Sequence, residues 1–403
     1  MTAVIREYRG FLPRDERVAA LLGEERKERN RLGNIRREEY MKTPFVGVTA
    51  DGNVEPSLFP VQQTGVSTQA IKDAAEAYLR SLAEANVQPV QFNINAGQWR
   101  RWNNALDVAR HGLKLEDLAD ALRVASLGLL RATLSTTGYE TAREVMRLNY
   151  SLAELLNEFR EFGEWKYYVS LFGTPSMTEP WGWQIDGHHL NINCFVLGDQ
   201  VVMTPTFLGA EPAHADSGLY AGHHVFDDEQ ERALALIRAL SPEQEAKAVI
   251  ERSIYSKDLP KERDTGEDGR QQGGQMKDNA VVPYEGLRAS EMTPAQRGML
   301  TSLIDAYIRN MRPGHYEVRM AEIAAYMDET YFAWMGAYDG PTTPFYYRIH
   351  SPVVLIEFDC HRGVFINNTE PERFHLHLIV RTPNGNDYGK DLLRQHLERH
   401  HSK

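Results

Sequence analysis

At 403 residues, with 42% hydrophobic and 10% aromatic content, the chain has apolar material for two or three core-forming regions and needs no covalent staples. Its 56 acidic against 45 basic residues give a net charge of −11, which opposes general nucleic-acid binding through phosphate neutralisation. Two cysteines, Cys194 and Cys360, are too few for a disulfide framework or a cysteine-built zinc site, so any metal must be held by His, Asp, Glu or Asn.

The opening "MTAVIREYRGFLPRDER" has no apolar stretch ahead of its charges, and no segment reaches the ~18 uncharged apolar residues of a membrane span. The expectation is a soluble cytoplasmic protein with no membrane partner. Residues 1–66 alternate charge clusters such as "EERKERNRLGNIRREEY" with Pro and Gly breaks. They read as an arm of short helices and extended pieces, the expected contact with a neighbouring surface or a second copy in a homo-oligomer.

From Ser67 the period turns helical, with Ile71, Ala75, Tyr78, Leu79 and Leu82 on one face. A short stretch around Leu106, "LEDLADALRVASLGLLRATL" and "YETAREVMRLNYSLAELLNEF" extend this to a layer of about four or five helices ending near Phe162. The texture then changes to "WKYYVSLFGT" and "WGWQIDGHHLNINCFVLGDQVVMTPTFLG", which predict a strand and then a hairpin turning at "LGDQ". Two later helices open alike, at Ser241-Pro242-Glu243-Gln244 and Thr293-Pro294-Ala295-Gln296, each with a hydroxyl N-cap, proline at N1 and Gln at N3. They are either two ordinary caps or the trace of an internal duplication. Between them, the segment near 256–282, "SKDLPKERDTGEDGRQQGGQMKDNA", is polar and glycine-rich and reads as a mobile loop in a single α+β domain, residues 67–403.

The C-terminal strands carry polar faces. In "PFYYRIHSPVVLIEFDC", Arg348 and His350 share a face with Tyr346, and Glu357 and Asp359 share one with Leu355. In "FHLHLIVRT", Phe374, Leu376, Leu378 and Val380 form the apolar face, while His375, His377 and Arg381 lie on the other with Ile379. His-x-His on a strand places two imidazoles about 7 Å apart at Cα, from where both can converge on one ion. Glu357 is the candidate third ligand, since a carboxylate from a neighbouring strand supplies negative oxygen. The bland alternative makes both histidines solvent-facing residues of a half-exposed strand.

In "WGWQIDGHHLNIN", a regular strand groups His189 with Asn191 and Asn193 on one face and sends His188 to the apolar side. His189 is then the ligand or base candidate and His188 a buried, carbonyl-bonded histidine, unless a bulge at Gly187 reverses the assignment. Arg348 and Arg381 each end a face that carries histidine; they pair with Glu357 or Asp359, or clamp a substrate carboxylate. Asp186 and Glu211 flank the hairpin as further carboxylates. His214, His223, His224, His396, His400 and His401 lack a partner pattern and read as solvated. No glycine-rich phosphate loop, nucleophile elbow or HExxH helix occurs.

The segments "PWGWQIDGHHLNINCFVLGDQVVMTPTFLGAEP", "YYRIHSPVVLIEFD" and "FHLHLIVRTPNGNDYGKDLLRQH" together resemble the bacterial proteins grouped as the domain of unknown function DUF3500, from about residue 70 onward. That resemblance implies that the histidine segments belong to one domain and carries no activity or catalytic residues with it.

The reading from the residues is an α+β fold, a helical N-terminal layer packed on a mainly antiparallel sheet built from segments near 166–209 and 345–381. The expected function is a metal-dependent hydrolase or lyase acting on a small carboxylated or aromatic substrate. His375 and His377, with Glu357 or His189, would bind a divalent transition metal (Zn, Mn or Fe). Whichever of His188 and His189 is left serves as general base or acid, and Arg348 or Arg381 holds substrate charge. A non-haem iron or copper oxygenase and a non-catalytic small-ligand binding protein are the alternatives.

Overall fold

The computed structural model describes residues 24–106, 108–264, 268–366 and 368–401, so the first part of the arm lies outside the described residues. In chain order the helices are α1 Glu24–Lys42, α2 Gln69–Glu84, α3 Asp120–Thr133, α4 Thr136–Leu156, α5 Asp227–Arg238, α6 Pro242–Ala248, α7 Pro294–Ile308, α8 His315–Ala325 and α9 Lys390–His401. The first seven strands are β1 Gln91–Phe92, β2 Leu113–Lys114, β3 Tyr167–Phe172, β4 Trp181–Gly187, β5 Leu190–Leu197, β6 Gln200–Val202 and β7 Thr206–Ala210. The rest are β8 Val249–Glu251, β9 Leu287–Arg288, β10 Tyr331–Met335, β11 Tyr346–His350, β12 Leu355–Arg362 and β13 Pro371–Arg381. The fold is α+β. All the strands join one sheet, antiparallel except for the pairs β1–β3 and β8–β10.

The sheet order is β1-β3-β4-β5-β7-β13-β12-β11-β10-β8, which runs through the same sequence of connections from either end toward the β7–β13 pair. That pair is self-symmetric in register: Leu208 faces Leu378, Ala210 faces Leu376 and Thr206 faces Val380. The halves repeat in detail. Gly112-Leu113-Lys114 leads through a 3-10 turn into α3, and Gly286-Leu287-Arg288 leads through one into α7. Both glycines have positive φ, 107° and 98°, and a Cβ on either would strike the backbone of the adjoining strand, at Val169 or Phe332. Leu113 pairs with Val169 as Leu287 pairs with Phe332, and Leu171 pairs with Trp183 as Trp334 pairs with Tyr347.

The sheet therefore carries an internal repeat, but the two similar helix caps are not its trace. Both capping boxes form, at Ser241 and Thr293, yet both lie in the second half. Gln244 and Gln296 also donate to one another's side-chain oxygens, at 3.0 and 2.7 Å.

The helices cover the sheet face formed by Leu190, Ile192, Leu208, Leu376, Leu378, Ile349 and Ile356, and this interface is the main core. The buried stripe of α2, Ile71, Ala75, Tyr78 and Leu82, is the one its period predicts. Between residues 67 and 162 the described chain contains three α-helices and two 3-10 turns rather than four or five helices, because the stretch around Leu106 is irregular. No helix among the described residues is long and apolar enough to cross a membrane.

The second face is the polar one, and it is buried too. The described residues of the segment 256–282 pack onto it, with Asp268, Arg270, Gln271, Gln275 and Asp278 all under 9% exposed. Its composition suggests a solvated loop only while its partner surface is taken as apolar. Here the sheet presents Asp359 to Arg270 at 2.6 Å, Glu357 to the Gln272 and Gly273 N–H groups at 2.7 Å each, and Arg381 to Asp278 at 2.9 Å. The described part of the arm wraps its own domain: Thr49 bridges to Val281, and the Thr64 hydroxyl donates to the Asp199 carbonyl.

Candidate metal centre

The stretch from Trp181 to Leu197 is not one strand. It folds back at His188-His189, the two turn residues of a hairpin closed by Gly187 and Leu190. His189 takes the left-handed conformation (φ 63°), where histidine is among the better-tolerated side chains. Alternation stops at a turn, so the two rings are not sent to opposite faces. They stack, with centroids 3.9 Å apart. The His189 backbone is held from both sides, its N–H donating to the Asn104 carbonyl and its carbonyl accepting from Gly209 N–H.

That turn overhangs β7 and meets the polar face of β13. The Nε2 atoms of His189, His375 and His377 lie 3.3, 3.0 and 3.3 Å apart in a closed triangle. All three residues are buried, so His375 and His377 are not solvent-facing. With metal–nitrogen bonds of about 2.05 Å, separations of 3.0 and 3.3 Å subtend about 94° and 107° at a central ion, within the range of octahedral to tetrahedral sites. These three histidines are the group among the described residues that could hold a metal ion.

Protonation states favour a cation at the centre. Burial pushes His375 down to about 3 and holds His189 and His377 well below the ordinary imidazole range, so all three are neutral at neutral pH. His375 Nδ1 donates to the Arg362 carbonyl at 2.6 Å, which leaves the lone pair on Nε2. Three neutral imidazoles with converging Nε2 atoms cannot all be satisfied by hydrogen bonds to one another; one cation satisfies them together.

The surroundings fix the ring positions. Gly209 lies beneath the triangle, where a Cβ would come within 3.1 Å of the His189 ring and 3.2 Å of the His377 ring. Phe207 packs edge-on to His377. The Arg362 carbonyl also accepts from His361 Nδ1 at 2.9 Å, and the His361 ring sits 4.6 Å from His377. Glu211 anchors the turn that follows Arg362: its Oε1 accepts the N–H groups of Val364, Phe365 and Ile366, while Oε2 is 3.7 Å from His375 Nδ1. On the other side, His188 Nδ1 donates to Asn149 Oδ1 at 2.8 Å, and Asn149 itself donates to the Gly163 carbonyl. Exposure within the cluster is greatest at His188 and His189, 5% each, beside the rings of Phe162 and Phe365.

Three residues expected at the site are committed elsewhere. Glu357 accepts from Tyr346 Oη at 2.6 Å and from the Gln272 and Gly273 N–H groups, which turn it toward the covering segment and away from the triangle. Arg348 pairs with Glu285, and Arg381 with Asp278 and Asp387. Neither pairs with Glu357 or Asp359, because Arg270 from the covering segment already occupies Asp359. His361 and Asn149 escaped the sequence reading. For His361 the signal was present, since it continues the alternation Glu357, Asp359 by one more step.

A family model matches residues 64–390. The chain belongs to the family described as protein of unknown function (DUF3500). The matched span contains all three converging histidines, His188 and Glu211, and leaves out α1 and nearly all of α9. No curated protein and no solved structure matches the chain.

Proposed function

We propose that the chain is a metal-dependent enzyme of the hydrolase or lyase type, with its metal on His189, His375 and His377 and a small organic substrate. The observation that carries this reading is the triangle of buried, neutral Nε2 atoms 3.0 to 3.3 Å apart with no carboxylate among them. Three imidazoles with a remaining open position are a zinc-type catalytic set, and a bound ion there supplies Lewis-acid polarisation or lowers the pKa of a coordinated water to about 7. His188 is the proton acceptor: Asn149 holds the hydrogen on Nδ1, leaving Nε2 with its lone pair beside the ligand ring. The aromatic rings of Phe162 and Phe365 favour an uncharged apolar or aromatic substrate, since Arg348 and Arg381 are already paired.

A redox metal on the same three nitrogens is the second reading, because iron and copper also accept imidazole ligands. A reducing, cytoplasmic setting fits the two buried free thiols, Cys194 and Cys360. Metal analysis of untagged protein tests the proposal. The expected result is close to one equivalent of a transition metal, zinc for hydrolysis and iron or copper for oxidation. His189→Ala, His375→Ala and His377→Ala should each fall below a tenth. Wild-type protein that neither contains nor takes up such a metal ends the reading.

A further inference from the structure

On the opposite face of the same two central strands lies a cavity of about 60 Å³. It sits where the halves meet, between β7 and β13 and the α7–α8 pair. Its walls are mostly apolar: Met203, Leu208, Ile308, Met311, Leu378 and Val380. By strand alternation Leu378 points into it while His377 points to the metal centre, so this is a different site.

Most polar groups lining it are already occupied. Thr204 and Thr382 share a hydrogen bond at 2.8 Å. Arg319 donates to Glu322 at 3.0 Å, to the Val353 carbonyl at 2.7 Å and to Thr382 at 3.2 Å, so its charge is paired and three of its five N–H donors are used. Gln200 accepts from Gln62 N–H and donates to the Pro60 carbonyl. Among the buried lining atoms His315 Nε2 stands apart. The residue is 4% exposed and its Nε2 has no hydrogen-bond partner. Burial pushes its pKa down to about 4, so it offers a neutral imidazole nitrogen.

At roughly 10–30 Å³ per water the space equals about two to six waters, each needing two to four polar partners, while His315 Nε2 is the buried lining atom left without one. Sites of this kind, apolar with one placed polar group at a junction between structural units, are the usual setting for small ligands.

We propose that the cavity binds a small uncharged molecule with a short unbranched apolar body and one hydroxyl or carbonyl group, which hydrogen-bonds to His315 Nε2. An anion is disfavoured because the guanidinium in the lining, Arg319, is neutralised by Glu322.

The probe is 1-butanol, titrated into protein carrying ¹³C at its methionine methyl groups. Met203 and Met311 should shift saturably, with methionines away from the cavity unmoved. Half-buried Val318 also lines the space, and Val318→Phe should fill it and abolish the shifts. His315→Ala should weaken binding about 2- to 10-fold, the range for one hydrogen bond. Butyrate should produce no saturable shift. Absence of saturation at Met203 and Met311 in the wild type, or undiminished shifts in Val318→Phe, overturns the site; butyrate binding as tightly as butanol overturns the stated ligand class.

Discussion

The two ends of the buried polar face are related by the internal duplication and have become opposites. Counting outward from the facing pair Leu208 and Leu378, His375 and His377 stand three and one residues before Leu378, where the first half has Pro205 and Phe207. Arg381, three residues after Leu378, answers to Glu211. One end therefore gathers three neutral imidazoles whose Nε2 atoms converge. The other, with no histidine pair, closes on itself through Arg381, Asp278, Asp387 and Arg100. Between them an apolar plug of Trp99, Trp102, Phe172, Phe207, Ile379 and Tyr388 keeps the two apart.

The contrast sets an end of paired charges against an end of uncharged, converging rings. At the charged end the buried carboxylates of Asp278 and Asp387 are paired with Arg381 and Arg100. Arg381 also donates to the Gly273 and Gly274 carbonyls, and Arg381 and Arg100 hold Asp278 below its ordinary range although burial alone would raise it. Removing one member of such a set strands the others. Arg381→Ala should cost about 3–5 kcal/mol in urea unfolding, because Asp278 and Asp387 would stay buried without their cation. His377→Ala, which leaves no charge behind, should cost much less in metal-free protein. If the two variants unfold at the same urea concentration, the division between a structural and a functional end fails.

A second difference between the halves concerns protons. His350, on β11 beside the charged end, is 1% exposed with neither ring nitrogen bonded, and it lies against Tyr284 with Arg348 on its own strand face. Burial first, and then Arg348, hold its pKa well below 6.5 in the folded state. The unfolded chain takes up this proton near pH 6.5 and the folded chain does not, so the stability linked to His350 is present above that pH and is lost as pH falls below it. The slope is about 1.4 kcal/mol per pH unit for one group. His350→Phe should flatten the fall of the urea midpoint between pH 6.5 and 5 by about that amount. An unchanged slope would mean that the folded protein admits the proton.

Much of this was legible in the sequence, for physical reasons that also mark where reading stopped. Period-two alternation identified the polar face of β13 and with it His375 and His377, since a strand buried on one apolar face must turn its other residues together. His189 does lie with His375 and His377, but not for the reason the sequence suggested. The rule for a regular strand was applied to a two-residue turn whose own residues, His188-His189, are not a usual turn pair, although Asp186-Gly187 just before them marked a break. Glu357 failed as a ligand because its competition came from backbone N–H groups of Gln272 and Gly273, 85 and 84 residues away in sequence and silent in any side-chain pattern. The duplication was hidden similarly, carried by paired glycines and register rather than by residue identity.

The equivalence of Glu211 and Arg381 gives the finest test of the contrast. Glu211 Oε2 stands 3.7 Å from His375 Nδ1, beyond hydrogen-bonding distance, while Oε1 holds the N–H groups of Val364, Phe365 and Ile366, so that the preceding Arg362 carbonyl stays aligned with His375 Nδ1. Glu211→Gln keeps an acceptor oxygen for those N–H groups and removes the negative charge 3.7 Å from His375 Nδ1. Metal affinity should fall about 10-fold, the lower end for loss of an outer partner of a ligating histidine, with the unfolding midpoint of metal-free protein nearly unchanged. Arg381→Ala should do the reverse, unfolding readily while its folded fraction, separated from the plug outward, keeps the three imidazoles in place. Should Glu211→Gln instead lose stability on the scale of Arg381→Ala with affinity intact, Glu211 is a second structural anchor, and the two ends differ in their ligands alone.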